Sequence, residues 1–174
     1  MKNLDPTGLK RLHRDWRRNT TQKVALILDS VQTPYNVGTI IRTAAALGVE
    51  HLWLVGATES PTHAKTNKTA LGTQRYVTWT TVETPTEAID QARNEAYSII
   101  GIELADDAVP LHEVSLGGDV CLIVGHEDRG LSKEALALCD GVGYIPQLGK
   151  VGSLNVGVAA SIAIAEARRQ GWTS

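Results

Sequence analysis

The chain has 174 residues, 43% apolar and 21% charged, the make-up of one globular domain and not of a disordered or fibrous chain. The formal charge of −2 hides an asymmetry: the first 20 residues carry six Lys or Arg against two Asp, so the remainder carries −6. A basic arm on an acidic body fits a polyanion met by a local patch, and it also fits a terminal helix whose cations only keep it soluble.

Leu9, Leu12 and Trp16 fall at i, i+3 and i+7 within residues 8–18, with Lys10, Arg11, Arg14, Arg17 and Arg18 around them. This spacing predicts an amphipathic helix that docks a narrow apolar stripe on the body and turns its cations outward. Residues 1–20 are expected to form this helical arm and residues 21–174 a single domain. Continuous apolar runs at 24–28, 51–55, 97–102 and 120–124 have strand length without alternation, as parallel strands covered on both faces do. Helices are expected at 37–47, 86–96, 132–138 and 154–169, with Pro85 and Glu87 early in one and Ser132 opening another. The alternation argues an α/β fold, a mostly parallel sheet flanked by helices.

The last helix mixes Ala and Ser with Val and Ile over 158–165, which suits close packing in a core and equally a helix shared between two subunits. Cys121, inside an apolar run, and Cys139, at a helix end, read as small buried hydrophobes. The five His are scattered without metal-ligand spacing, so no metal is expected. The basic N-terminus is not followed by an apolar stretch and no run approaches membrane-spanning length, so a cytoplasmic protein is expected.

Three segments carry candidate chemistry. In the first, a strand ends at Asp29, a Pro34-Tyr35 turn follows, and a helix begins near Asn36, with Gly38 and Arg42 inside it. Capping alone would explain Asn36. Arg42, among Ile40, Ile41, Ala44 and Ala45, is expected on a mostly buried surface with an anionic partner. In the second, the strand at 120–124 runs into Gly125, Glu127 and Gly130, a sharp turn at the carboxyl end of a parallel strand, where α/β proteins bind ligands. In the third, a short strand over 142–145 leads through Gly149 and Gly152 to Ser153, Leu154 and Asn155, which open the Ala-rich helix. Ser153 can cap that helix, and the helix start also presents free N–H groups to a ligand. No G-x-G-x-x-G follows the first strand and no Walker A sequence is present, which disfavours dinucleotide-binding and P-loop folds.

Taken in order, N-x-G-x-x-x-R, G-x-E-x-x-G-L and I-P-x-x-G-x-x-x-S-L-N-V resemble motifs 1, 2 and 3 of the SpoU (TrmH) family of SPOUT RNA methyltransferases, over about residues 22–172. Two positions depart from the pattern: Gln147 stands where Met is usual and Gly157 where Ser often follows. The resemblance implies a C-terminal trefoil knot, an exception to the rule against threaded chains. It implies S-adenosylmethionine held largely by backbone groups at Gly125, Ile145 and Leu154, with Ile102, Leu104 and Gly149 nearby. It also implies a homodimer with the active site at the subunit interface. The catalytic and substrate residues it implies are Asn36, Arg42, Glu127, Ser153 and Asn155, acting on an RNA ribose 2′-hydroxyl. Arg42 is commonly given the base role in such enzymes. A guanidinium stays protonated, however, so phosphate binding with proton removal by that phosphate or a water is the alternative.

Segments 69–79 and 134–140 look like the tRNA enzymes that methylate guanosine 18 in the D-loop. Ribosomal RNA is the nearest rival substrate, although many relatives acting there carry a separate N-terminal RNA-binding domain. A non-catalytic RNA-binding factor on the same fold and a small-molecule methyltransferase are the readings from other classes. In the RNA reading, Lys10, Arg11, Arg14, Arg17 and Arg18 contact phosphates without reading sequence.

Overall fold

The computed structural model describes residues 2–173; Met1 and Ser174, the outer ends of the two expected segments, lie outside the described residues. The elements run α1 (Pro6–Arg18), β1 (Val24–Asp29), α2 (Pro34–Ala46), β2 (His51–Val55), α3 (Ala64–Ala70), β3 (Thr78–Val82) and α4 (Pro85–Asn94). They continue through β4 (Ser98–Ile102), β5 (Val109–Pro110), β6 (Val120–Val124), α5 (Lys133–Leu138), β7 (Gly141–Tyr144) and α6 (Val156–Thr173). Short 3-10 turns cover Thr73–Tyr76 and Leu111–Glu113.

Seven strands form one sheet in the order β3-β2-β1-β6-β4-β7-β5, and every pairing is parallel. β1 lies inside the sheet beside the central β6, fully buried because both of its faces are covered. Leu26 and Leu28 pack with Ile40, Ile41, Leu122, Ala163 and Ile164 toward α2 and α6. Ala25 and Ile27 pack with Trp53, Ile89, Ala92, Ile123 and Ala135 toward α4 and α5. Successive side chains of a strand point to opposite faces, so only an unbroken apolar run satisfies both layers. Each such Leu or Ile contributes about 1.5–3 kcal/mol by burial.

The register sets Leu28 opposite both Leu54 and Val124, so the carboxyl ends of β1, β2 and β6 align at one edge. α6 lies close against α2 along its small residues: Ala160, Ala163 and Ala167 are buried, and Thr43 and Ser161 share a hydroxyl hydrogen bond of 3.0 Å. At the far end of the pair, the buried Arg168 guanidinium donates to the carbonyls of Gln22 (2.6 Å), Leu47 (2.9 Å) and Gly48 (2.5 Å). It thereby satisfies carbonyls that the end of α2 leaves without helical partners.

Four expectations are corrected here. Only the Trp16 end of the stripe on α1 docks it: no α1 residue is buried, and Leu9 and Leu12 are 44% and 42% exposed. Three apolar residues spread over two turns make too narrow a stripe, and a tilted contact of Trp16 with Trp172 (centroids 4.6 Å apart) ties the helix to α6. α2 begins at Pro34, with Thr33 in the cap position, so Asn36 lies inside the first turn, freed from capping. Asn155, not Ser153, caps α6, its Oδ1 accepting from Gly157 N (2.9 Å) and Val158 N (3.2 Å). Arg42 is exposed, since position 42 points away from the faces that bury Ile40, Ile41 and Ala44. Among the described residues it has neither an ion-pair nor a hydrogen-bond partner.

Candidate functional site

At the carboxyl ends of β4, β6 and β7 lies a cleft of about 300 Å³. The end of β4 brings Ile102, Glu103 and Leu104, the turn after β6 brings Gly125 to Gly130, and the turn after β7 brings Tyr144, Ile145 and Gln147. Ser153, Leu154 and Val156 close it from the approach to α6. Five of the six positions expected to hold a cofactor therefore line one cavity. Gly149 does not: it sits on an exposed part of the loop with only Val151 near it, so its side of the loop leaves the wall.

The turn after β6 is built by backbone. His126 and Gly130 exchange two hydrogen bonds (3.0 and 2.9 Å), closing residues 126–130 into a small loop over the strand end. A Cβ on Gly125 would overlap the Gly130 carbonyl and the Leu131 nitrogen, so only glycine lets the chain fold back this closely. Glu103, which the sequence did not mark, holds this turn to β4. Its Oε2 accepts from Leu131 N (2.8 Å) and its Oε1 from Leu104 N (2.9 Å). Asp29, buried at the end of β1, accepts from Ser132 N (2.9 Å) and fixes the start of α5.

One chain of side-chain hydrogen bonds joins the three motif segments. Asn155 Nδ2 donates to Asn36 Oδ1 (2.9 Å), and Asn36 Nδ2 donates to Glu127 Oε1 (3.0 Å). The direction is forced. Asn155 Oδ1 is committed to two backbone N–H groups of α6, so its amide nitrogen must donate onward, and Asn36 must accept on its oxygen and donate to the carboxylate. Glu127 also accepts from Gln32 N (3.2 Å) and Thr33 N (2.9 Å). Burial alone would raise its pKa, but the bonds from Asn36, Thr33, its own amide and Gln32 outweigh that and bring it down to about 2. Glu127 is therefore a fixed anion that receives hydrogen bonds, not a proton carrier near neutrality.

Asn36, Glu127 and Asn155 thus come together, with Ser153 and Leu154 on the cleft wall beside them. Arg42 does not join them. It stands six residues along α2 from Asn36, about 9 Å at 1.5 Å per residue, and outside the cleft lining. Cys139 is pushed up to about 11, by burial first and by Asp140 next, and burial drives Cys121 up as well, so neither is a thiolate nucleophile.

A buried acceptor tests whether the cleft takes a ligand. Gln147 Oε1 is shut off from solvent and has no hydrogen-bond partner among the described residues, yet its side chain lines the cavity. A bound molecule with a donor group would satisfy it.

A family model described as the SpoU rRNA Methylase family matches residues 23–165, the whole span of the sheet and the three segments. The chain belongs to the SpoU rRNA Methylase family. It resembles the tRNA (guanosine(18)-2'-O)-methyltransferase of Escherichia coli K12, 34% identical over 84% of this chain and 63% of that protein. It is also similar to the 23S rRNA (guanosine-2'-O-)-methyltransferase RlmB of Acinetobacter baylyi, 32% identical over 88% of this chain and 62% of that one. The SpoU methyltransferase AviRb from Streptomyces viridochromogenes, solved in complex with the cofactor AdoMet, superposes with a TM-score of 0.79. Its identity is 28%, covering 89% of this chain and 62% of that one. The chain spans less than two thirds of the length of each of these three proteins.

Proposed function

We propose that this chain is an S-adenosylmethionine-dependent RNA 2′-O-ribose methyltransferase that acts on tRNA, at guanosine 18 of the D-loop. The observation that carries this reading is the directed chain Asn155–Asn36–Glu127, which locks the three segments together at the wall of a cleft with an unsatisfied acceptor. The cofactor-bound AviRb structure and the names of the E. coli and A. baylyi relatives support the cofactor and the RNA.

Gly125, Ile145 and Leu154 would hold S-adenosylmethionine, with Ile102 and Leu104 beside them and Gln147 Oε1 accepting a hydrogen bond from it. Bound there, the cofactor supplies an electrophilic sulfonium methyl group. A ribose 2′-hydroxyl is a very weak acid, so the attacking oxygen needs its developing charge stabilised and its proton removed. Arg42, without a partner among the described residues, holds a neighbouring phosphate against that oxygen, and the proton leaves to the phosphate or to a water. Ser153 orients the ribose from the cleft wall. Asn36 and Asn155 keep α2 and α6 in register, and Glu127 anchors the turn after β6. The basic arm at 1–20 contacts RNA through Lys10, Arg11, Arg14, Arg17 and Arg18.

The distance of Arg42 from the cleft of its own chain favours a homodimer in which the two sites are shared. The outer face of α6, where Val158 and Ile162 are 46% and 38% exposed, is the apolar surface a second copy would cover.

The test is mass-spectrometric mapping of ribose methylation after incubating the protein and S-adenosylmethionine with unmodified tRNA and with rRNA. A 2′-O-methyl group at guanosine 18 is expected. Methylation of rRNA alone would replace tRNA by the ribosomal substrate, and methylation of neither would sink the reading. Arg42→Ala should abolish transfer with product affinity unchanged, and Arg42→Lys should also fail, because an ammonium does not reproduce a planar fork.

A further inference from the structure

The body outside the arm carries −6, yet residues 60–82 contain no Asp or Glu and hold Lys65, Lys68 and Arg75. This stretch folds as α3, a reversal in which Leu71 and Gly72 both take left-handed backbone (φ 53° and 76°), the turn Thr73–Tyr76, and β3. Gln74 Nε2 donates to Asn67 Oδ1 (2.8 Å) and clamps the turn onto the helix. Lys65 and Lys68 are three residues apart and share one helix face. All three cations are exposed, and among the described residues none has an ion-pair partner. Arg93 and Arg169, by contrast, are held by Asp140 and Glu166. Tyr76 is 65% exposed, with the Arg75 guanidinium 4.8 Å from its ring centre. A shallow groove in the same stretch is lined by Asn67, Lys68, Leu71 and Gly72.

The placement connects this surface to the site. α3 packs on α2 at Gly38, where a Cβ would meet the Thr66 carbonyl and Thr69. Arg42 lies one helical turn beyond Gly38 along α2, exposed to solvent. The arm is placed differently. Its anchored end precedes Gln22 and Lys23, which bond to Leu116, Gly118 and Asp119 at the amino ends of the strands. The cleft lies at the carboxyl ends, about 17–20 Å away along the sheet.

We propose that α3 and the turn at 73–76 dock the sugar–phosphate backbone of the same RNA whose ribose is modified, with Lys65, Lys68 and Arg75 on phosphates and Tyr76 stacked on an unpaired base. The proposal rests on the RNA-methyltransferase reading above. An acidic stretch of protein would match the charge, but it would have no use for an exposed ring beside the cations. A single-stranded or looped RNA segment uses both.

The experiment measures binding of the full-length protein to an unmodified tRNA transcript at several salt concentrations, for wild type, a Lys65→Gln/Lys68→Gln/Arg75→Gln variant, Tyr76→Ala and Tyr76→Phe. Each phosphate contact contributes roughly 0.7–0.9 to the slope of log affinity against log salt, so the triple variant should lower the slope by about 2–3. Taking the contacts as neutral at 1 M salt, the same exponents predict a roughly 50- to 200-fold weaker affinity at about 0.15 M. Tyr76→Ala should weaken binding about 5- to 150-fold with the slope unchanged, and Tyr76→Phe should bind as wild type does. Affinity for S-adenosylhomocysteine and the melting temperature report on the fold and should stay put in all four proteins. A wild type that binds and methylates RNA while the triple variant keeps its slope overturns the docking surface and leaves the enzyme reading intact. A wild type that neither binds nor methylates any RNA overturns both. Competition by poly-glutamate as effective as that by tRNA would assign the surface to an acidic protein and overturn it for RNA.

Discussion

Glu127→Gln tests whether the anion is what holds the three segments together. Besides its own amide, the two carboxylate oxygens accept from Gln32 N, Thr33 N and Asn36 Nδ2. A glutamine has one acceptor oxygen, so its NH2 must face one of these N–H groups, and the forced direction of the Asn155–Asn36 chain stops Asn36 from turning round to accept it. Holding the carboxyl at about 2 against an ordinary 4.5 corresponds to about 3 kcal/mol in favour of the folded anion at neutral pH. Because the side chain is partly exposed, solvent screening reduces this to roughly 1–2 kcal/mol. For a chain of this size each kcal/mol moves the midpoint by about 2–4 °C, so the variant should melt roughly 2–8 °C lower at pH 7. The sign of the pH dependence follows from the lowered pKa. The contribution is complete above about 4.5 and is lost as pH falls from there toward 2, so the gap should shrink below half by about pH 3. Circular-dichroism melts of both proteins at the two pH values are sufficient. Coincident melting at pH 7, or a gap of the same size at pH 3, would refute the reasoning.

Gly125→Ala should reduce affinity for S-adenosylhomocysteine at least tenfold and lower stability by about 1–3 kcal/mol, because the added methyl meets the Gly130 and Leu131 backbone. Calorimetry with the product checks the first effect, and unchanged affinity would show that the turn opens freely. Trp16→Ala should release α1 from α6 while lowering the stability of the body by no more than about 0.5–1.5 kcal/mol, the value of one aromatic pair. Limited trypsin digestion should then cut after Arg17 or Arg18 much faster than in wild type, and an unchanged cleavage rate would show that something else holds the arm.

The central strands were legible because both faces are buried: residues 51–55 and 120–124 match β2 and β6 to the residue. β3 was not, because Thr78-Trp79-Thr80-Thr81 forms a largely exposed outer strand whose polar side chains give no apolar run. α3 escaped for the same reason, with Lys65, Thr66, Asn67 and Lys68 offering no stripe. In the site, the motifs identified Asn36, Glu127 and Asn155, but no spacing in sequence shows that one amide passes its hydrogen bond to the next across 119 positions. Arg42 was misplaced because its apolar neighbours are close in sequence and lie on other faces of the helix. Glu103 and Gln147 act through backbone N–H groups and an empty acceptor, features that exist only once β4 and the turn after β7 have been brought together.

The Arg168 contacts have a mechanical consequence. α2 and α6 are pinned to each other near both ends, by the Asn36–Asn155 bond at the site and by Arg168 on the Leu47 and Gly48 carbonyls at the other extreme. Two rods fastened twice make a frame that resists shear, so Asn36 and Asn155 keep their relative position whatever happens on the frame's outer surface. Val158 and Ile162, which project from that surface, are free to change with whatever covers them, while the Asn36–Asn155 bond at the cleft stays in place.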